Sequence, residues 1–101
     1  DTEDGLHITS MAGTWMAIVK GFGGMRVRKG VLHLNPTLPQ GWESYKFSIN
    51  FRGALLKIFV NQESVIIDNY SDKLMTIKVY NEDIRIDSKD IFRLVKKSYY
   101  A

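Results

Sequence analysis

The period of the hydrophobic positions changes once along this chain. Over residues 11 to 20, Ala12, Trp15, Met16, Ala17, Ile18 and Val19 fall in nearly every direction around a helical axis. A helix apolar all round must be buried on all sides. Thr9 or Ser10 can cap its start, and Gly21 after Lys20 suits its end. Residues 1–8 read as a loop. After Gly23 and Gly24 the period becomes two. Val31 to Leu34 is a short strand, and a turn-rich segment follows with both prolines, Pro36 and Pro39. Tyr45, Phe47, Ile49 and Phe51 then alternate with Lys46, Ser48, Asn50 and Arg52. Gly53-Ala54 is a reversal into Leu56, Ile58 and Val60, and Asn61-Gln62-Glu63 closes that strand. Val65 to Ile67, Leu74 to Tyr80 and Ile84 to Ile86 are further strands between polar turns, and Ile91 to Val95 is a last strand or a short helix. Even strand spacing predicts a mainly β protein, an antiparallel, jelly-roll-like β-sandwich preceded by one apolar helix.

That helix poses a packing problem. One small sheet covers one side of it, and no second helix of comparable quality exists in the sequence. The missing cover is expected from residues outside this chain or from another subunit, so the chain reads as a piece of a larger protein. Its 101 residues make one domain or part of one.

Composition narrows the function classes. A hydrophobic share of 45% and a charged share of 25% are ordinary for a globular domain. The net charge is only +3, and the basic residues are scattered, with Lys96-Lys97 the one tight pair, so no stripe tracks a nucleic-acid backbone. Cysteine is absent, which excludes disulfides and thiolate metal sites and fits a reducing compartment. His7 and His33 lack the spacing of a zinc pair, and no metal site is expected. No apolar run reaches a membrane span, and the acidic start Asp1-Thr2-Glu3-Asp4 is no signal peptide.

Chemistry concentrates near the start. His7, Thr9 and Ser10 stand at the entry to the apolar helix, where unpaired N–H groups and the positive end of the dipole suit an anion. Gly13 weakens the first turns but lets a ligand approach the backbone. Plainer roles compete: Ser10 as a helix cap, His7 as a loop histidine bonded to backbone. Trp15 and Met16 read as core, and Trp42 as a wedge holding its loop on the sandwich rather than a sugar platform. His33 alternates with Leu32 and Leu34, so it should point to solvent or to a domain contact. Arg26, Arg28 and Lys29 either meet acidic groups of an absent domain or form a solvated hinge.

The motif Gly5-x-His7-x-x-Ser10-Met11-x-Gly13-x-Trp15, followed by Gly21-Phe22-Gly23-Gly24-Met25-Arg26, resembles family 65 glycosidases, the maltose, trehalose and kojibiose phosphorylase group. Gly30-Val31-Leu32, Asn35-Pro36, Leu38-Pro39, Trp42 and Phe51-Arg52-Gly53 continue the likeness. It is specific over residues 4–60 and rests on strand pattern beyond. The resemblance implies that residues 1–26 are the end of an (α/α)6-barrel catalytic domain and residues 27–101 a C-terminal β-sandwich. It implies an inverting phosphorolysis of an α-linked glucosyl disaccharide such as maltose to β-glucose 1-phosphate, with inorganic phosphate as co-substrate and no cofactor. His7 and Ser10, with Thr9 second, are then the phosphate-binding residues. Thr9 departs from the smaller residue expected there. The general acid lies upstream, so no catalytic residue is expected in this chain, which alone should be inactive. A cytoplasmic enzyme is implied, with the rest of the barrel as partner and a homodimer as a further expectation. Two other readings stand beside it: a trehalase-like hydrolase of the same family, and a non-catalytic carbohydrate-binding sandwich resting on Trp42 and Tyr70, Tyr80, Tyr99 and Tyr100.

Overall fold

A computed structural model describes residues 6–9, as backbone, and 21–96. The predicted helix over residues 11–20 lies outside the described residues, as do Ser10, Tyr99 and Tyr100. Nine strands are described: β1 Leu6–Thr9, β2 Arg26–Arg28, β3 Val31–Leu34, β4 Ser44–Phe51, β5 Ala54–Asn61, β6 Ser64–Asn69, β7 Met75–Val79, β8 Glu82–Ile86 and β9 Ile91–Val95. They form a five-stranded sheet in the order β1-β4-β5-β6-β9 and a four-stranded sheet in the order β2-β3-β7-β8. This is the mainly β sandwich that the strand spacing predicts.

The period-two pattern builds the core directly. On β4, Tyr45, Phe47, Ile49 and Phe51 are buried. Their partners across the sheet continue the rows: Phe47 stands opposite Ile58, Ile58 opposite Ile67, and Ile67 opposite Phe92. Leu32, Leu34, Ile77, Val79, Ile84 and Ile86 close the core from the second sheet. A slip of one residue would turn each set to water, so the pattern also specifies the register.

The structure corrects several local expectations. Leu6–Thr9 is an edge strand antiparallel to β4 rather than loop. Gly21 and Phe22 are themselves helical backbone, and the left-handed residue after them is Gly24, with φ +57°. The β4–β5 reversal is Arg52-Gly53, not Gly53-Ala54, with φ +53° and +82°. Lys29-Gly30 and Tyr80-Asn81 repeat that two-residue, positive-φ design, whose twist matches the strands it joins. One pairing is parallel: β3 with β7, across a long excursion through the other sheet. Of the two alternatives for residues 91–95, strand and short helix, the structure shows strand.

Candidate functional site

Of the three residues expected to hold phosphate, two lie in β1. His7 stands opposite Asn50 and Thr9 opposite Ser48 in the register with β4. Ser10 lies outside the described residues, and so does the arrangement of the three together.

The chain enters the sandwich at Phe22–Met25, and this junction is tightly tied. The Phe22 carbonyl accepts the Thr37 N–H at 2.6 Å. The Tyr45 hydroxyl lies 3.0 Å from that carbonyl oxygen and 2.9 Å from the Thr37 carbonyl oxygen. One phenolic hydrogen therefore serves two acceptors. Burial, and then the neighbouring Tyr80 phenol, push the Tyr45 pKa above its ordinary 10, so it stays a donor at any physiological pH. The Asn35 N–H donates to the Gly23 carbonyl at 3.1 Å. This close approach explains Gly24: a Cβ there would sit 2.6 Å from the Asn35 carbonyl oxygen. Met25, next in line, is already core.

Trp42 is half-buried against the core and meets Tyr45 edge-on at 6.2 Å between ring centroids. It packs its loop onto the sandwich. Tyr70 is exposed, but the Lys57 ammonium stands over its ring at 4.5 Å.

A cleft of about 610 Å³ opens between the β3–β4 loop, the Tyr80 turn and the end of β9. Its polar groups are largely engaged within the chain. Tyr80 donates its hydroxyl to the Pro36 carbonyl, Thr37 donates to the Phe22 carbonyl at 3.3 Å, and Lys96 donates to the Asn61 carbonyl at 2.5 Å. Burial lowers the Lys96 pKa. Glu82 is the one carboxylate lining this cleft among the described residues. Glycoside hydrolysis by paired carboxylates needs two.

His33 departs from expectation. Alternation places it on the outer side of β3, yet it is only 8% exposed. Across the strands it faces Arg26 on one side and Lys78 on the other. Burial first, then the charges of Arg26, Lys78 and Arg28, hold its pKa below 6.5, with Asp83 opposing. Among the described residues no group of three or more His, Cys, Asp or Glu could hold a metal ion, and no helix is long and apolar enough to cross a membrane.

Residues 25–86 match the family model described as glycosyl hydrolase family 65, C-terminal domain. The chain belongs to glycosyl hydrolase family 65. It is 42% identical over 89 residues to a maltose phosphorylase of Bacillus subtilis (strain 168), covering 88% of this chain and 12% of that protein. It is 40% identical over 82 residues to an α,α-trehalose phosphorylase of Geobacillus stearothermophilus, covering 81% and 11%. A solved structure, a putative kojibiose phosphorylase from human microbiome, superposes with a TM-score of 0.77 at 31% identity, over 86% of this chain and 13% of that one. The chain thus spans about an eighth of the length of the relatives it matches. Within the family 65 domain the match runs from Met25 through the end of β8, so the tied junction marks where the domain match begins.

Sequence reasoning missed Asn69, read only as a turn residue. Its buried carboxamide donates to the carbonyls of Lys73, Ile86 and Asp87 at 2.7, 3.1 and 3.1 Å and so ties the β6–β7 turn to the end of β8. An asparagine at the end of an apolar strand was the available signal.

Proposed function

We propose that this chain is the C-terminal part of an inverting disaccharide phosphorylase. The observation that carries the reading is the family match together with relatives named maltose and trehalose phosphorylase at 42% and 40% identity. In this reading residues 1–26 end the catalytic barrel and residues 27–101 are the sandwich. The whole cytoplasmic enzyme, as a homodimer, splits an α-linked glucosyl disaccharide such as maltose with inorganic phosphate, giving β-glucose 1-phosphate and glucose, and uses no cofactor.

The chemistry divides between the parts. A general acid in the preceding barrel protonates the leaving oxygen. Phosphate attacks the opposite face of the sugar carbon, where an inverting hydrolase places an activated water. His7 and Ser10, with Thr9 in support, hold that phosphate through an imidazole N–H, a hydroxyl and the amides at the start of the following helix. β1 brings His7 and Thr9 to the edge of the five-stranded sheet, and the preceding domain completes the cradle. The sandwich is structural: its described cleft engages its polar groups internally and carries one carboxylate. The deciding experiment is an assay of disaccharide cleavage by the full-length enzyme with and without phosphate. Cleavage that requires phosphate and yields β-glucose 1-phosphate is the expected result. Cleavage that proceeds in its absence is the behaviour of a trehalase-like hydrolase and refutes the reading.

A further inference from the structure

The basic residues that look scattered in the sequence are gathered by the fold. On the outer face of the four-stranded sheet, Arg26 stands opposite His33, His33 opposite Lys78, and Lys78 opposite Asp83. Arg28 shares this face from β2 and Arg85 from β8, each alternating with an inward apolar neighbour. Among the described residues, four cations meet one carboxylate there, Asp83, which pairs with Lys78 at 3.1 Å. The surplus of three equals the net charge of the entire chain.

We infer that this face docks the sandwich onto an acidic surface of the domain that precedes it in the whole enzyme. The inference rests on the reading of the chain as the C-terminal part of a larger phosphorylase. Three features select that occupant. Positive charges packed across neighbouring strands repel one another, and carboxylates from a partner relieve that repulsion. The charges of the face are open to a partner: Arg26, Arg28, Asp83 and Arg85 are exposed, around a half-buried Val31 and a nearly fully buried His33. It is also continuous with the point of entry: β2 is the edge strand of this sheet and starts two residues after Gly24. The chain therefore enters this sheet at its Arg26 and Arg28 edge.

The test uses the full-length enzyme. Arg26→Glu with Arg28→Glu is compared with Lys46→Glu, an exposed lysine on the other sheet. Two readouts report the domain contact rather than catalysis: the rate of protease cleavage at the Gly21–Met25 junction, and whether calorimetry shows one unfolding transition or two. The double variant is expected to be cut about tenfold faster, the scale of a lost charge-complementary contact, and to show a separate, earlier transition for the sandwich. The unmodified enzyme should behave the same way in about 1 M salt, where charges are screened beyond about 3 Å. Lys46→Glu should change neither readout. A cleavage rate in the unmodified enzyme that ignores salt overturns the proposal, and this arm does not depend on the variant folding. Equal effects of Lys46→Glu overturn it too. Loss of dimerisation or of duplex DNA binding in the double variant, with the domain contact unchanged, assigns the face to another partner and also overturns it. Should cleavage of the disaccharide prove independent of phosphate, the phosphorylase reading fails and these readouts still decide the docking.

Discussion

The Ser71 hydroxyl donates to the Asn69 carboxamide oxygen at 2.6 Å, and both side chains are buried. The same oxygen accepts the Ser71 N–H at 3.0 Å, while the amide nitrogen of Asn69 serves three carbonyls on the far side of the turn. A single side chain thus supplies what three of the other reversals obtain from positive-φ backbone. Replacing Asn69 with leucine removes the donor to the Ile86 and Asp87 carbonyls and the acceptor of the Ser71 N–H, while the Lys73 carbonyl keeps the Ser71 hydroxyl at 3.2 Å. Urea unfolding should show a loss of about 3 kcal/mol, since each orphaned group costs about 1–3 kcal/mol and some relax toward water. Ser71→Ala should cost about 1 kcal/mol. A midpoint unmoved by Asn69→Leu would show that water replaces the carboxamide.

Gly24 makes the second stability prediction. Its φ of +57° disfavours a side chain, and a Cβ there would press on Asn35 backbone at 2.6 Å. The left-handed conformation alone costs a non-glycine residue about 1–2 kcal/mol, and the overlap adds to it. Gly24→Ala should therefore destabilise by about 2 kcal/mol or more. Gly21→Ala is the matched control, since open space surrounds that position and its backbone is helical; there alanine should be neutral or slightly stabilising. Thermal melts of the two variants that coincide would contradict the close-approach account.

Much of the sandwich was legible because a buried face imposes period two. The inward set on β4 and its partners on β5 follow from Tyr45, Phe47, Ile49 and Phe51 alone. The parallel β3–β7 pairing was not, because it joins segments more than 40 residues apart and neither turn chemistry nor alternation encodes a long-range neighbour. Lys29-Gly30 and Arg52-Gly53 are weak hairpin signals beside Asn-Gly, so the reversals were placed less well than the strands. Alternation put His33 on the outer side of its strand, but it carries no information about what the flanking strands place over an outward residue. The basic face was invisible for the same reason: Arg26, Arg28, Lys78 and Arg85 are separated in sequence and assembled by register. At the candidate site, His7 and Thr9 were singled out by their place before an apolar helix and by a family motif, while Asn69 resembled any polar turn residue.

His33 predicts a pH dependence. Its folded pKa lies below 6.5, the ordinary value, because burial and then Arg26, Lys78 and Arg28 disfavour the imidazolium, with Asp83 opposing. Below about pH 6.5 the unfolded chain therefore binds the proton more readily than the folded one. Stability is then full above that pH and falls as the pH drops toward the folded pKa. Between pH 7 and 5, before most carboxylates titrate, the urea midpoint should decline, and His33→Gln should flatten that decline whatever its effect on the absolute midpoint. An equal slope in both proteins would assign the titration elsewhere.

The phosphate cradle yields the last prediction. If His7 and Ser10 hold phosphate, their loss weakens stabilisation of the attacking anion without touching the sugar. In the full-length enzyme His7→Gln and Ser10→Ala should each lower kcat/KM for phosphate by about 100-fold, the usual scale for removing one positioned donor from a developing charge. The KM for disaccharide should stay within a few fold. Thr9→Val, the second-rank hydroxyl, should have a smaller effect. The reverse reaction offers a check, because β-glucose 1-phosphate carries the same phosphate and must lose affinity in the same order. Initial rates measured in both directions would settle the matter. Variants that slow disaccharide turnover while leaving the response to phosphate unchanged would show that these side chains do not contact the anion.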